Sequence, residues 1–491
     1  MKSTINGNRP GHIETHGTDY VPDSERRGRP RDLFAVWAGS NLVYLYFVLG
    51  GMLIILGLDV RQSLLVIVAG NLFWIPVGYL AVSGPASGSP SETIGRAFYG
   101  VNGNRVVQAV LGWLVGVLYE AINLAVGALA GFVLVQQLFG TSPALVQLII
   151  IVGLALVTFG ISVYGHATIL KLAPWFTWSL LAAIIVLAGF VIARADFQYQ
   201  PTDGLLSGPS LWAVALGGFG IIASAPLSWQ NGADYSRYLP RHVSTRATAF
   251  WTGFGGFVPA TVITILGVLA GTVIDMSNPQ ESMAEILPGW FYTIFLLVIV
   301  LGSISNNALT AYSTGLALLA TGIPWRRSIT VIFDGIVAIS LTLYAIFISN
   351  FLDTVSGLLE VSIAVLSPAL AIYVVDIILR RNRYLGEELQ KVSTDSPYWF
   401  RKGFNVGGFG ALIAGTLAST LFMSTTFYVG PGALWLGGAD ITVFVGTAVG
   451  GAIYYFSEGS RVRAEGAATQ QAESQGISAG RGNAVTDREQ P

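Results

Sequence analysis

The chain has no cysteine and only four histidines in 491 residues, and Asp, Glu, Lys and Arg together make up 11% of it. Without cysteine there is no disulfide and no thiolate metal centre. The histidines, His12, His16, His166 and His242, fall in tails or at loop ends, and no HExxH pair or Ser/His/Asp grouping accompanies them. No Gly-rich phosphate loop ending in Lys-Ser/Thr occurs, which argues against an ATP-driven pump. A formal net charge of -1 offers no electrostatic footprint for nucleic acid. Soluble domains carry about a quarter of their residues as charges, so the scarcity of charge excludes that class as well.

What fills the chain is apolar: 53% hydrophobic residues, with 59 glycines among the rest. A bilayer core takes about 20 apolar residues per helix. Read at that length, the sequence predicts twelve spans, over 33–57, 62–83, 106–138, 143–165, 172–193, 210–231, 247–274, 287–320, 328–349, 352–380, 404–426 and 434–456. The expected fold is an all-α membrane protein of 12 transmembrane helices. With the amino terminus inside, only Arg61 and Arg194 fall on the opposite side, and this positive-inside bias puts both termini in the cytoplasm of a multi-pass cell-membrane protein. Residues 1–31 are polar and Arg-rich with no apolar core, so they read as a cytoplasmic tail and not a cleavable signal peptide. Residues 457–491 read as a disordered cytoplasmic tail. Spans without a soluble domain between them leave little room for an enzyme. The expected partners are a small ligand and the lipid bilayer, with no cofactor and no obligate protein partner.

Polar groups inside spans are costly and are therefore candidates for function. In span 1, Trp37-Ala38-Gly39-Ser40-Asn41 interrupts the apolar run, and unwinding there frees carbonyls near Asn41 and Tyr44 to hold a cation. In span 3, Tyr119, Asn123 and Gly127 recur every fourth residue on one face, where a ring and an amide suit a planar ligand. Glu120, one residue round the helix, is either a proton carrier or a buried carboxyl with a private partner. In span 6, Ser224, Ala225, Pro226, Leu227 and Ser228 form an expected break, with a kink re-satisfied by serine hydroxyls as the alternative. Asp234 and Arg237, three apart at its end, suggest an ion pair for structure or gating. In span 8, Gly302, Ser303, Ser305, Asn306 and Asn307 crowd amides and hydroxyls, with Ser305 and Asn306 suited to an alkali cation. Helix glue through small and polar residues is the competing reading of each cluster.

At these residues the chain resembles the purine and cytosine permeases of the nucleobase:cation symporter-1 family. WAGSN in span 1, the aromatic-x3-Asn-x3-Gly face of span 3, DYSRYLP after span 6 and SNNALTAYSTGL in span 8 carry the resemblance, joined by Asp376 with Arg380 and Arg381 after span 10. It implies a five-plus-five inverted repeat (about 33–193 and 210–380) with discontinuous helices 1 and 6, plus two extra helices over 404–456. It implies a cation site, for sodium or a proton, at Asn41, Tyr44, Gly302, Ser305 and Asn306. The nucleobase site would use Tyr119, Asn123, Ser224, Ala225, Ser228 and Asn307. The chain departs from the family where Tyr119 stands for a commoner Trp, where Ala225 stands for a stacking ring that Trp229 could replace, and where Asn306 stands for a hydroxyl. The expected activity is cation-coupled import of cytosine, a purine or a related planar heterocycle by alternating access. Hydantoin, allantoin, uracil or a vitamin such as thiamine are alternative cargoes. An uncoupled channel or a ligand-binding membrane receptor are alternatives of another class.

Overall fold

The computed structural model describes residues 10–14, 17–201, 204–348, 351–425 and 428–486. The outermost parts of both expected tails, including His16, lie outside the described residues. Regular structure among the described residues is helical apart from two isolated bridges. Among the described residues nine helices are long and apolar enough to cross a membrane, and a bent pair, Asp32–Asn41 and Tyr44–Ile55, makes ten if it is one span. At the place of expected span 11 stands the shorter Val406–Leu421, and Thr442–Thr486 begins at the place of span 12.

Span 1 breaks where the sequence loses its apolar run. Its two halves meet at 52°, because Leu42 (φ -77°, ψ 58°) and Val43 (φ -122°, ψ 141°) leave the helical region. The Ser40 hydroxyl and the Asn41 amide both fold back to donate to the Trp37 carbonyl, at 3.0 and 2.8 Å. The second half then packs backbone to backbone on span 7: a methyl placed on Gly50 would lie 2.0 Å from the Thr264 carbonyl oxygen, and one on Gly267 would lie 2.0 Å from that of Phe47. Small residues that let backbones meet are the usual adhesive of helices in lipid.

Span 6 differs from expectation. Gly208–Ser228 runs as one helix through Pro226, and winding is lost at Trp229–Asn231 before the short helix Gly232–Ser236. The serines explain the shift, since the Ser224 and Ser228 hydroxyls donate to the Ile221 and Ala225 carbonyls at 2.6 and 2.7 Å and bridge the stretch around the proline.

Described parts of both expected tails make contacts or helix. Val21 donates its amide to the Gly88 carbonyl at 2.8 Å, and Arg26 donates to the Pro85 carbonyl at 2.8 Å. Beyond residue 456, where a disordered tail is expected, the last helix continues to Thr486. Glu458 and Glu465 bracket Arg461 at helical spacing, and Glu465 ties the helix to Arg380 at 2.5 Å.

Candidate substrate and ion site

A cavity of about 140 Å³ is lined from Val43 at the break of span 1 to Ser91 and Glu92, next to Thr93, which donates to the Thr18 carbonyl of the amino-terminal segment. An apolar cavity of about 150 Å³ accommodates a benzene ring, so the space suits one small ring system. Its deep part is lined by Tyr46, Tyr119, Asn123, Ala225, Ser228, Trp229 and Asn306. Tyr119 stands between spans, its hydroxyl 3.5 Å from the Ser224 carbonyl and 3.4 Å from the Ser362 hydroxyl. Asn123 donates to the Tyr119 carbonyl at 2.9 Å, which leaves its Oδ1 buried without a partner. Trp229 is held edge-on to Trp37 at 5.4 Å. The loss of winding at Trp229 brings that indole to the cavity beside the small Ala225.

Two of the six expected substrate residues point elsewhere. The Ser224 hydroxyl is spent on its own helix. Asn307 donates its amide to the Glu120 carbonyl at 2.9 Å, behind span 3. Neither lines the cavity. Gly127 receives Ser303, whose hydroxyl donates to the Asn123 carbonyl, so its service is close packing of spans 3 and 8.

The expected ion site does bring spans 1 and 8 together, in a register one or two residues from expectation. A methyl on Gly302 would sit 3.0 Å from the Leu42 carbonyl oxygen, the Ser305 hydroxyl donates to the Gly39 carbonyl at 2.9 Å, and the Asn306 amide donates to the Ser40 carbonyl at 2.7 Å. The carbonyls facing span 8 are therefore those of Gly39, Ser40 and Leu42. The Asn41 side chain instead links Trp37, Ser40 and the Tyr46 hydroxyl, and the Tyr44 ring packs against Phe47 and Phe295.

The model of a family described as permeases for cytosine/purines, uracil, thiamine and allantoin matches residues 20–446. The chain belongs to this permease family. A putative purine-cytosine permease of Bacillus subtilis, YxlA, is 27% identical over 461 residues, spanning 90% of this permease and 95% of that protein. A putative allantoin permease of Escherichia coli is 23% identical over 82% of this chain and 88% of its own. Among solved structures, the nucleobase-cation-symport-1 family transporter Mhp1, closed on bromovinylhydantoin, superposes with a TM-score of 0.73 at 17% identity, covering 94% of this permease and 96% of Mhp1. The inward-facing form of Mhp1 gives 0.68. At such identity the likeness concerns the fold.

The shallow part of the cavity in this permease is lined by residues that the sequence did not single out: Ser91, Glu92 and Gly95 of the connector before span 3, with Gln108, Thr310 and Tyr373. Burial pushes Glu92 well above the usual carboxylate range, and the neighbouring Asp234 carboxyl pushes it further. Asp234 accepts from the Ser91 amide at 2.9 Å and the Ser313 hydroxyl at 2.5 Å. The expected Asp234–Arg237 ion pair is not formed. Arg237 reaches instead to the Tyr238 and Tyr312 hydroxyls, to the Gly17 carbonyl and to Glu14, 3.8 Å away.

Glu14 is the other residue sequence reasoning missed. It is 3% exposed, accepts from the His166 amide at 2.8 Å and from the Tyr312 hydroxyl at 3.2 Å, and lies 3.7 Å from Arg327. Burial pushes its carboxyl up, but Arg327, Arg237 and His166 outweigh that and hold it below the ordinary value. The amino-terminal segment thus lies across the ends of spans 5, 6, 8 and 9.

Proposed function

We propose that this permease is a secondary active transporter that imports a nucleobase, cytosine or a purine, or a related planar heterocycle, together with a cation by alternating access. The observation that carries the reading is the ring-sized cavity at the broken span, where two aromatic side chains, Tyr119 and Trp229, flank an amide oxygen of Asn123 that lacks a donor. A planar heterocycle offers faces to the rings and an N–H to that oxygen. Leaving such an acceptor unpaired in a dry site is unfavourable, so a ligand with an edge donor satisfies the site where an apolar ring does not. Ala225 adds a small apolar wall, and Ser228, whose hydroxyl proton goes to the Ala225 carbonyl, offers its oxygen as a further acceptor.

The lysines and arginines favour an orientation with both termini cytoplasmic, in which case the cavity faces inward and a five-plus-five inverted repeat relates spans 1–5 to spans 6–10. The coupling ion is sodium or a proton. A cation at the span 1–span 8 junction of Asn41, Tyr44, Gly302, Ser305 and Asn306 would favour one conformation by its differential affinity for the two. The donors already aimed at the Gly39 and Ser40 carbonyls weigh toward a proton. Hydantoin, allantoin, uracil and thiamine remain within the same chemistry of flat rings with edge donors.

The test is a thermal-shift panel of purines, pyrimidines, hydantoins and vitamins, with sodium present or replaced by choline, followed by uptake of the best binder into vesicles. Stabilisation by one compound class and uphill accumulation under an ion gradient support the reading. Binding without transport makes the protein a receptor, and transport that never exceeds equilibrium makes it a facilitator.

A further inference from the structure

A second cavity, of about 530 Å³, shares no lining residue with the substrate site. It lies where the ends of spans 2 (Val60–Ser87), 7 (Thr245–Gly271) and 10 (Gly357–Arg380) meet the amino-terminal segment at Asp23. Its charge is one-sided. Arg241 and His242 come from the loop before span 7, and Arg381 and Arg383 from the turn after span 10. Among the described residues of the lining Asp23 is the one carboxylate, and it stands 3.1 Å from Arg26.

The turn after span 10 is built at a cost. Arg381 and Asn382 stand at φ 54° and 55°, in the left-handed region that glycine enters freely and other residues enter at about 1–2 kcal/mol each. The Arg381 and Asn382 amides hold it, donating to the Ile378 and Ile377 carbonyls at 3.1 and 2.8 Å. The Asn382 side chain reaches across to span 2, where its amide donates to the Val82 carbonyl at 2.9 Å, and its Oδ1 is buried without a partner. Asparagine tolerates this backbone, but arginine does so poorly, and helices that end this way commonly carry glycine. An arginine at that place points to a use for its guanidinium.

We infer that this cavity binds a phosphate ester, held by the arginines of the two loops. A guanidinium pairs with phosphate oxygens through two parallel N–H donors, and arginines brought in from both sides serve several oxygens of one phosphate at once. The start of the 27-residue span 7 helix, at Thr245 in the cavity wall, adds positive potential. Basic pockets at the inner ends of membrane helices are docking places for anionic headgroups. Into the membrane from the cavity, spans 7 and 10 expose Phe250 and Ile378, apolar surface for acyl chains, and the unpaired Asn382 oxygen suits a headgroup hydroxyl. These features favour a glycerol phospholipid over a soluble phosphate. The site stands apart from the transport cavity, whatever compound that cavity carries.

The experiment follows the melting temperature of the full chain in a neutral detergent with phosphatidylglycerol, phosphatidylcholine, inorganic phosphate or glycerol 3-phosphate added. Phosphatidylglycerol is expected to raise it at concentrations where phosphatidylcholine does not. Arg381→Gly removes the guanidinium and the backbone strain together. The free variant is therefore expected to melt no lower than the wild type, while the phosphatidylglycerol concentration for half the shift rises about tenfold or more, the loss of a charge-assisted hydrogen bond. Arg241→Gln, in a loop, is expected to weaken the response likewise whether or not Arg381→Gly folds. Arg401→Gln removes the same charge from an exposed place outside the cavity and is expected to leave the response unchanged. A shift by inorganic phosphate or glycerol 3-phosphate that the two cavity variants lose supports the site with a soluble source. No shift by any probe, or equal shifts by the two lipids with none from the soluble phosphates, overturns the inference. A wild-type response in both cavity variants, or an equal loss in Arg401→Gln, overturns it too.

Discussion

Asn123 shows how a single amide sets what the cavity accepts. Its Nδ2 is committed to the Tyr119 carbonyl, which fixes the amide orientation and leaves the Oδ1 as an acceptor. Asn123→Ala removes that acceptor without touching the span packing through Ser303, which uses the Asn123 backbone. The expected outcome is loss of ligand-induced thermal stabilisation with an unchanged melting temperature of the free protein. The loss corresponds to about 1 kcal/mol or more of binding, at least roughly fivefold, and an unchanged shift in the best panel compound would remove Asn123 from the site. Asn306 poses the complementary case. Asn306→Ser deletes the N–H held against the Ser40 carbonyl and leaves a hydroxyl beside Ser305. It is expected to make the melting temperature rise more with sodium than that of the wild type does; a sodium response identical in both would show that the amide does not stand in for the ion.

Breaks and close approaches decide how these residues reach one another, and here the sequence was legible unevenly. The WAGSN interruption of span 1 marked its break correctly, because small and polar residues in membrane-length apolar sequence have few other uses. The span 6 break was placed too early, since Pro226 suggests an interruption that serine back-bonding then repairs, and the true opening sits at Trp229. Trp229 lines the cavity beside Ala225, and the later loss of winding is what brings it there. Helical spacing gives a face, but not which of two neighbouring crevices that face enters, and Ser224 and Asn307 lie outside the lining of the cavity. Gly50 and Gly267 fix how the second half of span 1 lies on span 7, a partnership that spacing within either span does not reveal. With a methyl at either position held 2.0 Å from a carbonyl oxygen, the backbones have to separate. Gly50→Ala and Gly267→Ala are each expected to destabilise by about 1–3 kcal/mol, read as a lowered melting temperature in detergent; a neutral result would mean that this contact opens freely.

At the scale of the whole molecule, contacts between residues far apart in sequence are where single-sequence reading fails, and Glu14 is the clearest instance. Nothing in a polar amino-terminal stretch announces that one carboxylate lies buried between Arg237 and Arg327, more than two hundred residues away in the chain. The segment closes over the same end of the bundle toward which the cavity runs, so its release should widen access from that side. Because the folded protein holds the Glu14 carboxyl below its ordinary value, docking is favoured at any pH above that ordinary value, about 4.5, and weakens as pH falls through the lower folded value. At neutral pH the lock is therefore fully engaged, and acid loosens it. The absence of cysteine makes the test clean: a single Gln108→Cys substitution puts one thiol in the shallow cavity, to be labelled from the amino-terminal side. Combining it with Glu14→Ala, which leaves two buried guanidinium groups facing each other without their shared anion, should speed labelling at neutral pH by about fivefold or more, the effect of about 1 kcal/mol on an opening equilibrium. Equal labelling rates with and without Glu14 would mean that the segment rests on the bundle without restricting the way in.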